Sequence, residues 1–132
     1  MLINTNSSET STADIKVRAV PHYEPEHSTP ELSKYLFSYH ISISNEGQVP
    51  VKLISREWLI INSEGDETNV RGPGVIGEQP LLAPGETFEY SSFCILDTLF
   101  GTMEGYYYME REGGDMEKVK IERFYLATNA ED

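Results

Sequence analysis

The chain has 132 residues, of which 22 are acidic and 10 basic, giving a formal net charge of −12 at pH 7. That length suits one domain. The acidity excludes a protein that grips nucleic-acid phosphates and disfavours an anionic membrane surface.

The single cysteine, Cys94, rules out an internal disulfide, so nothing points to an oxidising compartment. Met1 to Thr12 is polar, lacks Lys and Arg, and has no signal-peptide pattern. Purely apolar runs such as Trp58 to Ile61 reach only four residues, far short of the ~20 residues that cross a bilayer. A soluble, cytoplasmic protein with no membrane insertion is expected.

In chain order, Met1 to Thr12 reads as a flexible tail rich in Ser, Thr and Asn. Asp14 to Val20 alternates, with Ile15, Val17 and Ala19 on one side, as a half-buried strand does. Pro21 to Ser33 holds Pro21, Pro25 and Pro30 and reads as an irregular loop. Tyr35 to Ser44 is the clearest strand. Tyr35, Phe37, Tyr39, Ile41 and Ile43 form its apolar face, and Asn45-Glu46-Gly47 ends it.

Val51 to Asn62 is a long strand whose alternation changes parity, which calls for a bulge or bend near Ser55-Arg56. Glu67 to Arg71 is a short strand. Ala83-Pro84-Gly85-Glu86 has turn chemistry, proline presetting φ and glycine taking the left-handed position. Phe88, Tyr90 and Cys94 then alternate against Glu89, Ser91 and Phe93. Tyr106 to Arg111, Gly113-Gly114 and Met116 onward form a hairpin, with Phe124 to Leu126 in or beyond its second arm.

No stretch carries a sustained helical stripe. Seven or eight short strands predict an all-β sandwich or barrel with Phe37, Tyr39, Ile41, Trp58, Phe88 and Tyr90 in the core. An antibody-type Cys…Trp…Cys pattern is absent, which leaves an immunoglobulin-like sandwich without the disulfide open.

Gly72-Pro73-Gly74-Val75-Ile76-Gly77 matches G-x-G-x-x-G. A dinucleotide site needs a helix opening within the motif, and Glu78-Gln79-Pro80 and Pro84-Gly85 leave no room for one. The reading that fits is a structural glycine loop; a weak anion nest beside Arg71 is the alternative. His22-Tyr23-Glu24-Pro25-Glu26-His27 brings together two imidazoles and two carboxylates, but its spacing matches no metal motif. Cys94 lies in an apolar strand, where a thiol is inert. No catalytic residue, metal site or cofactor is assigned.

Several segments together carry a resemblance. Phe37-x-Tyr39-x-Ile41-x-Ile43-x-Asn45-x-Gly47 leads into Val51-x-Leu53-x-Ser55-Arg56-x-Trp58-x-Ile60. Val70-Arg71-Gly72-x-Gly74-Val75-x-Gly77-x-Gln79-Pro80 follows, then Leu82-Ala83-Pro84-Gly85-Glu86-x-Phe88-x-Tyr90 and Gly101-Thr102-Met103-Glu104-Gly105-x-Tyr107. The chain resembles the ApaG (CorD) family from about Ile15 to Leu126. Phe93 stands where that family suggests glycine, Leu99 where it suggests proline, and Pro73 at a commonly acidic position.

The resemblance implies a fibronectin type III-like β-sandwich over residues 13–127, flanked by tails at 1–12 and 128–132. It implies no catalytic residues. In bacteria the family is linked with cobalt and magnesium handling, and its genes often neighbour a diadenosine tetraphosphate hydrolase. Similar eukaryotic domains sit in F-box proteins and a DNA polymerase delta-interacting protein, which implies protein–protein interaction. The expected function is a non-catalytic interaction module with an unidentified protein partner, connected with divalent cation homeostasis. The alternative is a binder of a phosphate-bearing metabolite or anion at Gly72–Gly77. Weak anion or divalent-cation binding is compatible with either.

Two segments exceed plain turns, Arg71 to Pro80 and Asp97 to Gly105. Their glycines and apolar residues make Arg71, Gly72, Gly74, Gly77 and Phe100 the candidate ligand or partner site.

Overall fold

A computed structural model describes residues 6–128. Nine strands run β1 (Ser8–Thr12), β2 (Ile15–Tyr23), β3 (Tyr35–Asn45), β4 (Val51–Asn62), β5 (Glu67–Pro73), β6 (Leu81–Leu82), β7 (Thr87–Leu96), β8 (Phe100–Arg111) and β9 (Met116–Ala127). They form two antiparallel sheets, β1-β2-β3-β7 and β5-β4-β8-β9, with β6 against the start of β4. This is a fibronectin type III or immunoglobulin-like sandwich, with nine strands in place of seven or eight. Its helical content among the described residues is two single 3₁₀ turns, Pro25–His27 and Pro30–Leu32.

The alternating apolar residues of the strands meet between the sheets. Phe37, Tyr39, Ile41 and Ile43 of β3 face Trp58 of β4, Tyr107 and Met109 of β8, and Phe124 of β9, all buried. Trp58 is the centre of an aromatic cluster, 5.5 Å from Tyr39, 5.9 Å from Phe124 and 6.3 Å from Tyr107 between ring centroids. Such edge-on contacts add about 0.5–1.5 kcal/mol each beyond area burial. Phe88 departs from the expected core. It sits near the start of β7 and is only half-buried, leaning on Tyr90.

Two irregularities explain the parity changes. The β4–β8 register shifts between Leu53 and Ser55, so Ile54 is an extra residue. Inward positions therefore pass from Val51 and Leu53 to Trp58. The shift lies one residue before the position read from sequence. On β9, Glu122 and Arg123 oppose the single residue Glu104, which lets Val119 and Ile121 share the buried face with Phe124 and Leu126.

The ends of the chain differ from the sequence reading. Ser8–Thr12, placed in the N-terminal tail, form β1 and pair with β2 from Ser8–Ala19 to Thr12–Ile15. Residues 1–5 and 129–132 of the two expected tails lie outside the described residues. Pro21 also remains in β2, opposite Tyr39. The register makes this a pair without mutual hydrogen bonds, so the proline nitrogen faces away from β3, past the point where β1 stops pairing.

One side of the sandwich is closed. Ser8 Oγ donates to the Glu122 carbonyl at 2.7 Å, and the Tyr125 N–H donates to the Asn6 carbonyl at 2.9 Å, tying β1 to β9. On the opposite side β5 and β7 are the outer strands of their sheets and do not pair with each other among the described residues.

Candidate functional site

The glycine motif is built around an arginine. After the Ile54 bulge, Arg56 shares its face of β4 with Trp58 and lies opposite Gly72 of β5. Its guanidinium occupies the space beside Gly72 and donates to the carbonyls of Pro73 (3.1 Å) and Gly74 (2.9 Å). The bulge also turns the Ile54 carbonyl toward the loop. There it accepts the Gly74 N–H at 2.8 Å and the Gln79 Nε2 at 2.9 Å.

Each motif glycine has a geometric reason. A β-carbon on Gly72 would stand 3.1–3.3 Å from the Arg56 guanidinium. Gly74 has φ +57° and passes so close to the Glu78 carbonyl that a β-carbon would lie 2.0 Å from its oxygen. Val75 to Glu78 is a two-residue reversal closed by reciprocal 2.8 Å bonds, with Ile76 at φ +42° and Gly77 at φ +80°. That is a type I′ turn. Val75 is buried beneath it, whereas Ile76 is exposed at the tip. The next element is the strand β6, so the motif opens onto no helix.

Arg71, the cation singled out beside the glycines, points to the other face of the sheet. It is exposed and ion-paired at 3.0 Å with Glu57. Glu57 also accepts the Tyr108 hydroxyl at 2.5 Å, and that bond, more than Arg71, holds its carboxyl below the usual carboxylate range. Arg56 is the functional-looking cation that sequence reasoning passed over. Its signal was its parity with Trp58 once the bulge is placed.

Phe100 is not brought to the glycine loop. Ser55, within β4, pairs with Pro73, and Asn62, at the strand's end, pairs with Gly101 seven residues on, a separation of about 23 Å along the strand. Nor is Asp97 to Gly105 one loop. Phe100 to Gly105 belong to β8, leaving only a short link at Asp97–Leu99. Gly101 and Gly105 serve close strand packing, since β-carbons there would fall 2.4 Å from the Ile61 oxygen and 1.9 Å from the Glu57 oxygen.

The remaining candidates are also accounted for. Glu24 accepts the Ser38 hydroxyl at 2.7 Å, and His27 is exposed. Among the described residues no three His, Cys, Asp or Glu side chains converge as metal ligands do. His40 bonds Glu89 at 2.8 Å and Ser91 at 2.9 Å across the β3–β7 surface. Burial pushes the Cys94 thiol up to about 12, far from a reactive thiolate.

What the end of β7, the link and the start of β8 do present is apolar surface. Phe93, Ile95, Leu99 and Phe100 are each more than half exposed. Beside them a cleft of about 500 Å³ opens on the side of β5 and β7, lined by Leu32, Ile60, Ile95, Leu96, Asp66 and Asp97.

Fold and loop together define a β-sandwich domain with an arginine-clamped glycine turn. The chain belongs to the ApaG domain family, whose model matches residues 25–111. It is 47% identical over 120 residues to Protein ApaG of Aromatoleum aromaticum, covering 91% of this chain and 94% of the relative. Protein ApaG of Sinorhizobium fredii is 50% identical over 115 residues, covering 87% and 88%. The crystal structure of a Bordetella pertussis protein described as ApaA superposes with a TM-score of 0.85 at 47% identity, covering 88% of this chain and 94% of that one. A second X-ray structure gives a TM-score of 0.83 at 41% identity, covering 88% of each.

Proposed function

We propose that this ApaG domain is a non-catalytic protein-interaction module working in the cytoplasm. The observation that carries the reading is the run of Phe93, Ile95, Leu99 and Phe100, 61%, 56%, 56% and 56% exposed within eight residues of chain. Leaving four large apolar side chains in water so close together in the chain gains the domain nothing in stability. Their place at a sandwich edge and link is where recognition surfaces form on such scaffolds. The connection with divalent cations implied by the family resemblance enters as a condition on the partner.

The test is affinity capture from native lysate with mass spectrometric readout, with and without Mg²⁺. The expected result is a defined set of partners, lost in a Leu99→Ser, Phe100→Ser variant whose thermal midpoint stays close to that of the parent. Capture of nothing under either condition, or a partner set indifferent to the double substitution, overturns the reading.

A further inference from the structure

We propose that the free edge of β7, from Glu89 to Leu96, is a strand-addition site for an extended segment of a partner protein bearing alternating apolar and basic side chains. The inference rests on the interaction-module reading and names its site and the chemistry of its partner.

The geometry of the edge follows from the register. The Asn45 N–H donates to the Glu86 carbonyl at 3.0 Å, and the β3–β7 pairing continues from there without a shift to Tyr35–Leu96. Alternation then makes Tyr90, Ser92, Cys94 and Leu96 the residues bonded to β3. The N–H and C=O groups of Glu89, Ser91, Phe93 and Ile95 point the other way, where no strand pairs with them among the described residues. They form a row of donors and acceptors at the spacing an added strand requires.

This edge has fewer of the devices that protect the others, its one charged side chain being Glu89. Sheet edges are blunted by lysine, proline, bulges or a covering segment. β5 carries Arg71 and ends in Pro73; β9 is bulged, carries Lys118 and Lys120, and is tied to β1. β7 reads Thr-Phe-Glu-Tyr-Ser-Ser-Phe-Cys-Ile-Leu, with no lysine, proline or bulge. Its exposed residues become more apolar toward the open cleft.

An added strand points its side chains alternately to two sides, and both sides of β7 are hollowed. One is the 500 Å³ cleft at Ile95 and Leu96. The other is a groove of about 430 Å³ along Leu36, Ser91 and Phe93.

Charge selects the occupant. Asp66 and Asp97 line the cleft, Glu24 lines the groove, and Glu89 stands on the strand, against Lys34 as the cleft's cation. A second copy of this chain brings another −12 and is repelled, whereas a basic segment is attracted.

The probe is a blocked synthetic peptide as long as β7, alternating valine and lysine. Its controls are a valine–glutamate counterpart and a valine–lysine version N-methylated on alternate amides. Binding is followed by amide NMR and hydrogen exchange on the full chain at physiological ionic strength. The expected result is saturable binding of the lysine peptide, with exchange at Ser91, Phe93 and Ile95 slowed at least about tenfold. The glutamate and N-methylated peptides should not bind.

Phe93→Lys should weaken the lysine peptide by at least about tenfold. Ile95→Pro should do the same, since it removes an edge donor without touching a β3 bond. Both variants are checked for an unchanged β3 amide spectrum. No saturation, binding indifferent to peptide charge, or protection at β5 or β9 amides overturns the site. So does concentration-dependent dimerisation that protects β7. Lysate capture that survives Phe93→Lys overturns this edge while the broader module reading stands. Loss of all capture by the parent chain sinks that reading instead, and the peptide titration still judges the edge.

Discussion

The guanidinium of Arg56 fills the space beside the α-carbon of Gly72, and its hydrogen bonds to Pro73 and Gly74 clamp the turn that follows. The glycine motif thus completes an arginine-held loop within the sandwich. Arg71, adjacent in sequence, is held on the opposite face by Glu57.

The two arginines should therefore separate cleanly. Arg56→Ala leaves two loop carbonyls without their charged donor and should cost about 2 kcal/mol in urea unfolding. Arg71→Ala removes an exposed ion pair and should cost less than about 1 kcal/mol. A reversed order would show that the clamp does not hold the loop.

Among the motif glycines, position 74 is the demanding one. Gly74→Ala combines a left-handed φ with a clash against the Glu78 backbone, and should destabilise by at least about 3 kcal/mol. Gly77→Ala meets no atom within 4 Å and should cost only the conformational penalty, about 1–2 kcal/mol. Equal midpoints for the two variants would contradict this geometry.

Ile76 offers a gain. A β-branched residue at φ +42° on an exposed type I′ turn is strained, and asparagine is at home there. Ile76→Asn should raise stability by about 1 kcal/mol, read as a higher urea midpoint at unchanged slope.

Alkaline pH tests the buried hydroxyls. Burial raises Tyr39, Tyr90 and Tyr107 above the ordinary value of 10.0, and Cys94 from 9.0 to about 12. Each group stays protonated in the folded chain and ionises earlier when unfolded. Their contribution is complete below the unfolded values and is lost as pH climbs from those values through the folded ones. The slope is about 1.4 kcal/mol per pH unit for each group ionised only in the unfolded chain. Urea midpoints that stay level between about pH 8 and 11 would refute the buried arrangement.

Strand identity was legible because alternation is local. Tyr35 to Ser44 shows its apolar face in its own spelling, and Tyr39 and Trp58, expected in the core, are buried there. The parity change in Val51 to Asn62 called for a bulge or bend, and the strand register places it at Ile54. The loop glycines were also visible, since a positive φ leaves a mark on residue choice.

The tertiary structure decided what depends on pairing between distant segments. Ser8–Thr12 is polar and unremarkable alone; it becomes a strand because the edge of β2 accepts it and β9 anchors its start. Arg56 rather than Arg71 holds the loop because one extra residue at Ile54 turns Arg56 toward Gly72. Phe100 and the glycine turn are kept apart because seven residues of β4, about 23 Å of strand, separate the partners of Pro73 and Gly101, a spacing set by register and not by position along the chain. The bare edge of β7 is likewise a property of strand order. Its alternation is that of any half-buried strand, and only the assembled sheets show that nothing pairs with its outer side among the described residues.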